Sequence, residues 1–425
     1  MNTSQEEVEK QKKQEEKRKQ KEEEKRQKIE EYKNINQRKV IQSKKAAEAA
    51  AKLGKKKSEW YTDPYVLTFG GLGALMVYVF CILFLNRKPP LNKTPVIDQN
   101  AIAEHNAANT WSQGPSSFWQ GATLADAKKI FTTAFSSHSN LLQCVSDKTL
   151  VIPEKFDVRK NWPKCFTGVV DQNRTCDGAY AITLAQTFAE RECIANGGEK
   201  LKKYSAQELL SCDAKNEGCR GGYLNHALDY MVSSGLAGEE CLKYTGSAAT
   251  KCMDMCDTPS REKLASYCVV FGEEDIKREI MSTGPVVGIM EVYTDFLNYK
   301  SGVYDHGEDV PKFSGYHAVK VIGWGVDNGE DEEGPTTGAK YWLVQNTWGD
   351  DWGINGVAKV MVGDETRRLS FEKFVFGLKT QKEVETLKAK AEEAKKKGEE
   401  TKTPEDVADI PDVNLDDDKK EDNKQ

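Results

Sequence analysis

Hydrolysis of an amide by a thiol needs a thiolate and a histidine that keeps it ionised and later protonates the leaving amine. It also needs a group that orients that histidine and donors for the oxyanion. Gln172 in DQNRTCDGAYAIT, His317 in GYHAVKVIGWG, and Asn346 and Trp348 in YWLVQNTWGDDWG are of the right types and follow one another in a usable order. On its own His317 reads better as a satisfied strand histidine, and Asn346 in NTWG is what reverses that. His105, His138, His226 and His306 have no comparable neighbours.

These residues must be carried by elements that bring distant parts of the chain together. DGAYAITLAQTFAERECIAN has an apolar helical face and predicts a helix beginning near Asp177. YSAQELLSC and GGYLNHALDYMVSSG predict two more helices. After about Tyr267, the β-branched and aromatic runs VVGIMEV, HAVKVIGWGV, AKYWLVQNTW and GVAKVMVG, separated by Gly, Asn and Asp, predict strands. A helical half followed by a strand half implies an α+β architecture with a cleft between two packed layers.

The ends of the chain have a different character. Residues 1–57 carry 19 Lys+Arg against 11 Asp+Glu, and Glu399–Gln425 carry 11 acidic against 4 basic residues, so the formal net charge of −6 describes no single surface. PYVLTFGGLGALMVYVFCILFL supplies roughly 20 apolar residues without a charge, enough for one transmembrane helix over 64–86. Its flanking Lys55, Lys56 and Lys57 place residues 1–60 in the cytosol, making a type II membrane protein of the secretory system whose folded part is lumenal or extracellular. All eleven cysteines lie at or after Cys81 and eight fall between Cys165 and Cys256, which suits an oxidising compartment. The cytosolic arm is solvated and partly helical. It could meet anionic lipid, and NINQRKV beside one span faintly resembles a small ribosome-associated membrane protein, so a ribosome or another cytosolic partner is an expectation; no specific nucleic acid is.

From about Ile152 to Leu378 the sequence resembles the papain family, within it cathepsin B. The resemblance is carried by IPEKFDVRKNWPKC, YSAQELLSC, GCRGGY, GPVVGIMEVYTDFLNYKSGVY, GYHAVKVIGWGV and YWLVQNTWGDDWG. It implies a papain-like two-layer fold over 152–378. Before that domain, 87–151 forms a linker and a propeptide-like segment containing WSQGPSSFWQGATLADAKKIF. After it, 379–425 forms a charged, acidic tail read as disordered, although KEVETLKAKAEEAKKKGEE has the composition of an exposed helix. The resemblance makes Gln172 the oxyanion donor, His317 the base, Asn346 its orienting partner and Trp348 their shield. Gly221 and Gly222 would bind extended substrate by their backbone, and Lys373 would replace an acidic residue in a specificity pocket. Implied disulfides are Cys165 with Cys193, Cys176 with Cys219, Cys212 with Cys252, and Cys241 with Cys256, leaving Cys81, Cys144 and Cys268 free.

The nucleophile breaks the pattern. Where the family has a segment of the type CGSCWAF, this chain has CDGAYAI, so the nucleophile position is Ala179 and a methyl group stands where a thiolate is required. The segment has drifted as a whole: Asp177 and Gly178 stand for Gly-Ser, Tyr180 for Trp, and one residue is inserted between Gln172 and Cys176. The sequence therefore points to a catalytically inactive domain that binds a peptide or protein ligand in its cleft. The alternatives are an active cysteine endopeptidase using a non-standard thiol, for which Cys176 is the nearest candidate, and an anchor whose basic arm recruits a cytosolic partner. CLKYTGSAATKC is too short for an occluding loop with a histidine pair. KCMDMC lacks a second pair of ligands, so no metal or other cofactor is expected. Asn92 and Asn173 head glycosylation sequons.

Overall fold

The computed structural model describes residues 90–135, 142–306, 310–329, 337–363, 371–373 and 375–397. The expected span over 64–86, the basic arm, Cys81, His138 and the acidic end beyond 397 lie outside the described residues. Among the described residues no helix is long and apolar enough to cross a membrane. The chain divides into Met1–Lys88 and Pro89–Gln425, and the described elements all belong to the second unit.

The helices are α1 (Gln99–Ala108), α2 (Leu124–Ala127), α3 (Val158–Asn161), α4 (Ala179–Ala195), α5 (Ala206–Cys212), α6 (Leu224–Ser233), α7 (Glu273–Thr283) and α8 (Gln381–Lys397). The strands are β1 (Ser112–Gln113), β2 (Phe156–Asp157), β3 (Leu236–Ala237), β4 (Arg261–Glu262), β5 (Ser266–Val270), β6 (Val286–Tyr293), β7 (Tyr299–Ser301), β8 (Val303–Tyr304), β9 (Lys312–Val326), β10 (Lys340–Gln345), β11 (Val357–Met361) and β12 (Val375–Lys379). The main sheet has the order β5-β12-β6-β9-β10-β11-β8, with β2 also paired to β9. Only its β11–β8 pair is parallel.

Two elements set the site. Helix α4 is rich in alanine and is buried on nearly every side, as a helix wedged between layers must be. Gly178 caps it. A Cβ there would lie 2.4 Å from the Tyr244 hydroxyl, so the close approach needs glycine. Strand β9 is covered on both faces, and its alternation sorts its residues: Ala318 joins the core beside α4, whereas Val319 and Val321 join the core on the sheet's other side. His317, in register with Met290 of β6, falls in the second set and contacts Phe131 and Trp348.

The structure closes the four implied disulfides. It corrects two further readings. Cys144 and Cys268, expected free, form a fifth disulfide. Residues 142–144 pair with Val269 on β5, which brings the two cysteines together across a sequence separation of 124. In the chain-entropy view a loop of that length is worth about 4–5 kcal/mol. The tail from 379 is not disordered at its start. Thr380 and Glu383 satisfy each other's backbone N–H as a capping box for α8, and Glu383 is buried 3.7 Å from Arg191. Arg191 also bonds Glu279, which lies within reach of Lys379. Burial opposes the charge on Glu279, but Lys379 and Arg191 outweigh it and hold the carboxyl down to about 2.

The propeptide-like segment is part of the core rather than a separate piece. Trp111, Phe118, Trp119, Ile130 and Phe131 are buried among Trp348, Trp352 and the inner residues of β9 and β10. Phe118 stacks on Trp348 at 5.7 Å, and Trp119 meets the same ring edge-on at 5.1 Å. The apolar residues of 111–135 are carried by β1, α2, a 3-10 turn at Lys128–Ile130 and an extended run.

Candidate active site

His317 Nε2 lies 2.9 Å from Asn346 Oδ1. The same oxygen accepts the Thr347 N–H at 2.7 Å, which identifies it as the carbonyl end of the amide and makes Nε2 the donor. The lone pair is then on Nδ1, which is buried and has no hydrogen-bond partner among the described residues. Burial lowers the His317 pKa to about 4, with the Asn346 bond offsetting part of that fall, so the ring is neutral at pH 7. Trp348 covers it, with ring centroids 5.0 Å apart.

Gln172 is fully buried. Its Nε2 donates to the Cys176 carbonyl at 3.0 Å and its Oε1 accepts from the Thr347 hydroxyl at 2.5 Å. Its own carbonyl accepts from Tyr244 at 2.7 Å. Ala179 is the first residue of α4 and is also fully buried. Cys176 is bonded to Cys219. Gln172, Cys176 and Ala179 thus lie at the start of the helix and His317 and Asn346 on the sheet, as the sequence led one to expect, but the thiol nearest in sequence to Ala179 is tied up in a disulfide.

The groove between these layers holds the chain's own residues. Ala134 donates to the Gly222 carbonyl at 3.0 Å and accepts from Leu224 N at 2.9 Å, while Thr133 bridges antiparallel to Tyr316. At Gly221, with φ +93, a Cβ would lie 2.0 Å from the Thr132 hydroxyl. Gly222 therefore binds extended backbone, and the backbone it binds is internal, whereas the N–H and carbonyl of Gly221 are spent within its own turn on Gly218 and Glu217. Lys373 sits in the 3-10 turn Phe371–Lys373 and is exposed; its neighbour Glu372 is the buried one, accepting from Trp342 Nε1 at 2.7 Å. Asn92 and Asn173 are exposed.

Residues 152–375 match the sequence profile described as papain family cysteine protease. The chain belongs to the papain family. Among curated proteins it is 33% identical to Cathepsin B-like CP3 of Giardia intestinalis over 218 residues, covering 49% of this chain and 69% of that one. It is likewise 33% identical to a cathepsin B-like cysteine proteinase of Schistosoma japonicum over 253 residues, covering 51% and 70%. Among solved structures it resembles proCathepsin B S9 from Trypanosoma congolense with a TM-score of 0.60 and 30% identity, over 68% of this chain and all of that one. Digestive procathepsin L 3 of Tenebrio molitor larval midgut, at 20% identity and a TM-score of 0.55, shares the fold. This papain-family domain is cathepsin B-like.

Sequence reasoning passed over one residue at the centre of the site. Asp177, noted only as a departure from the family pattern, is fully buried, and its Oδ2 accepts from Thr132 N at 2.8 Å and from the Thr132 hydroxyl at 2.6 Å. A carboxylate in a position where the pattern expects glycine was the available signal. Burial raises its pKa to about 7 against the pull of the Thr132 and Thr133 donors. Tyr180 and Tyr244 are the other titratable groups facing it.

Asp177 and His317 act on stability in opposite directions. Asp177 takes up a proton on folding, so its contribution is greatest below about pH 4 and falls as pH rises toward about 7. His317 releases one, so its contribution is complete above pH 6.5 and is lost as pH falls toward about 4. Denaturant midpoints measured across this range should show Asp177→Asn gaining stability with pH relative to the unmodified chain, and His317→Gln losing it, each by up to about 1.4 kcal/mol per pH unit. Parallel profiles for all three proteins would refute these protonation assignments.

Proposed function

We propose that this chain is a membrane-anchored, catalytically silent papain-family protein whose folded domain serves as a peptide- or protein-binding scaffold. The observation that carries this reading is the pairing of Ala179 at the head of α4 with the closure of all ten cysteines among the described residues into disulfides. Attack on an amide requires a thiolate, and among the described residues every cysteine is in a disulfide, so His317 has no thiol to deprotonate. Losing the nucleophile of a hydrolase costs on the order of a millionfold in turnover, leaving only what binding and oxyanion donors supply. What survives is the capacity to hold extended backbone between Gly222 and Tyr316, by the pairing that strand-addition sites use, and the strand held there is the chain's own Thr133 and Ala134.

The charge-free run over 64–86, with lysines before it, supports a single span with the domain lumenal or extracellular, and five disulfides suit that compartment. The basic arm would then be free to meet lipid headgroups, a ribosome or another cytosolic partner.

Two measurements test this reading. Purified full-length chain, assayed with fluorogenic peptides and a protein substrate in reductant, is expected to release no product above the reductant control. Hydrolysis that disappears in Cys176→Ser would make it an enzyme. Topology is read independently from the chain expressed in a eukaryotic secretory system. Endoglycosidase should increase its gel mobility, with Asn173→Gln and Asn92→Gln each removing one step; a chain carrying no glycan at either site would remove the support for lumenal placement.

A further inference from the structure

The loop that departs from the family pattern is also the loop that grips the amino-terminal segment. Arg174, next to the one-residue insertion, donates through Nη1 to the carbonyls of Phe118 at 3.1 Å and Gln120 at 2.7 Å. Asp177 accepts both the backbone N–H and the hydroxyl of Thr132. These side chains reach two separate points of the segment, on either side of α2. A third attachment is covalent: Cys144 is bonded to Cys268, and Leu142 and Cys144 exchange backbone hydrogen bonds with Val269 at 2.9 and 2.8 Å, extending the sheet beyond β5. The segment's aromatic rings fill the space over Trp348 between these attachments.

We infer that the loop which lost the nucleophile has been rebuilt as a clamp, and that residues 90–135, tied to the domain through the Cys144–Cys268 disulfide, are a permanent, covalently tethered occupant of the groove rather than a removable leader. A cut anywhere between Cys144 and the domain would leave the segment attached through its disulfide. Each departure from the family pattern then has a use. The insertion accompanies an arginine that bridges two carbonyls, and aspartate in place of glycine supplies an acceptor for the Thr132 N–H and shares the Thr132 hydroxyl with the Arg220 carbonyl at 2.7 Å. The inference rests on the reading of the groove as a site that holds extended backbone and names its occupant as the chain's own segment; it stands apart from the proposed inactivity, since it is read from retention rather than turnover.

The test uses the full chain with a site-specific protease sequence inserted between Leu150 and Val151, where Val151 is 86% exposed. After cutting, the two fragments are expected to co-elute in size exclusion without reductant, to run as one band on a non-reducing gel and to separate into two bands on a reducing one. Two bands without reductant would overturn the tether. For the clamp, the same cut chain carrying Cys144→Ser and Cys268→Ser is followed for release of the amino-terminal fragment. Asp177→Asn, Arg174→Gln and Thr132→Val are each expected to speed release by about tenfold or more, the range of hydrogen bonds to charged groups. Asp177→Asn combined with Thr132→Val should add little to either alone, because the two groups share one interaction. Unchanged release in Asp177→Asn and Thr132→Val would overturn the clamp. Thr132→Val alters only the segment, and in the disulfide-intact chain it should also speed tryptic cutting at the exposed Lys128 and Lys129, so the result does not depend on the serine variants folding; unchanged cutting there would count equally against the clamp.

Discussion

A buried carboxylate without a cation among its described partners organises this groove. Asp177 is fully enclosed, and the donors to its Oδ2 come from Thr132, 45 residues earlier in the chain. An acidic group in such surroundings either takes up a proton or finds hydrogen-bond donors, and Asp177 lies close to that balance, with burial raising its pKa to about 7. The consequence is structural: without the segment, the carboxylate would lose these partners, Gly221 would face solvent, and the large rings over Trp348 would be uncovered. Groove and occupant are parts of one core.

In that setting the histidine and asparagine take on a different role. The His317–Asn346 bond keeps the geometry of an acid–base pair, yet the ring is neutral and packed edge-on against Phe131 of the segment, 5.7 Å between centroids. Gln172, expected to donate to an oxyanion, spends its amide on the Cys176 carbonyl and the Thr347 hydroxyl, linking the drifted loop to the strand end that carries Asn346. Groups suited to catalysis are here engaged in joining the two layers. Their persistence is therefore not by itself a sign of turnover.

The layered fold was legible because its signals are local. The α4 helix follows from an apolar face that starts after Gly178, and β9 from a β-branched run in which alternation separates Ala318 from Val319. Disulfide pairing within the domain came from family resemblance. What could not be read was whatever depends on contacts between the segment and the domain. Cys144 finds Cys268 only because residues 142–144 add to a sheet edge. Asp177 looked like simple decay because its partner lies in a stretch set aside as a separate piece. Glu372, buried beside the exposed Lys373 and bonded to Trp342, carried no signal in its sequence neighbours either. Thr380 and Glu383 show the same limit at the other end, where a polar helix is anchored through its first turn.

Amide hydrogen exchange at Thr132 and Ala134, followed in the intact full-length chain, tests the central claim most directly. Both N–H groups are held, one by Asp177 and the other by Gly222, inside a core shared with the domain. If the segment is a permanent occupant, they exchange at least about a thousandfold more slowly than in an unstructured peptide, along with the strands that flank them. Exchange at the unprotected rate, with β9 and α4 still protected, would mean that the groove stands open and the account is wrong.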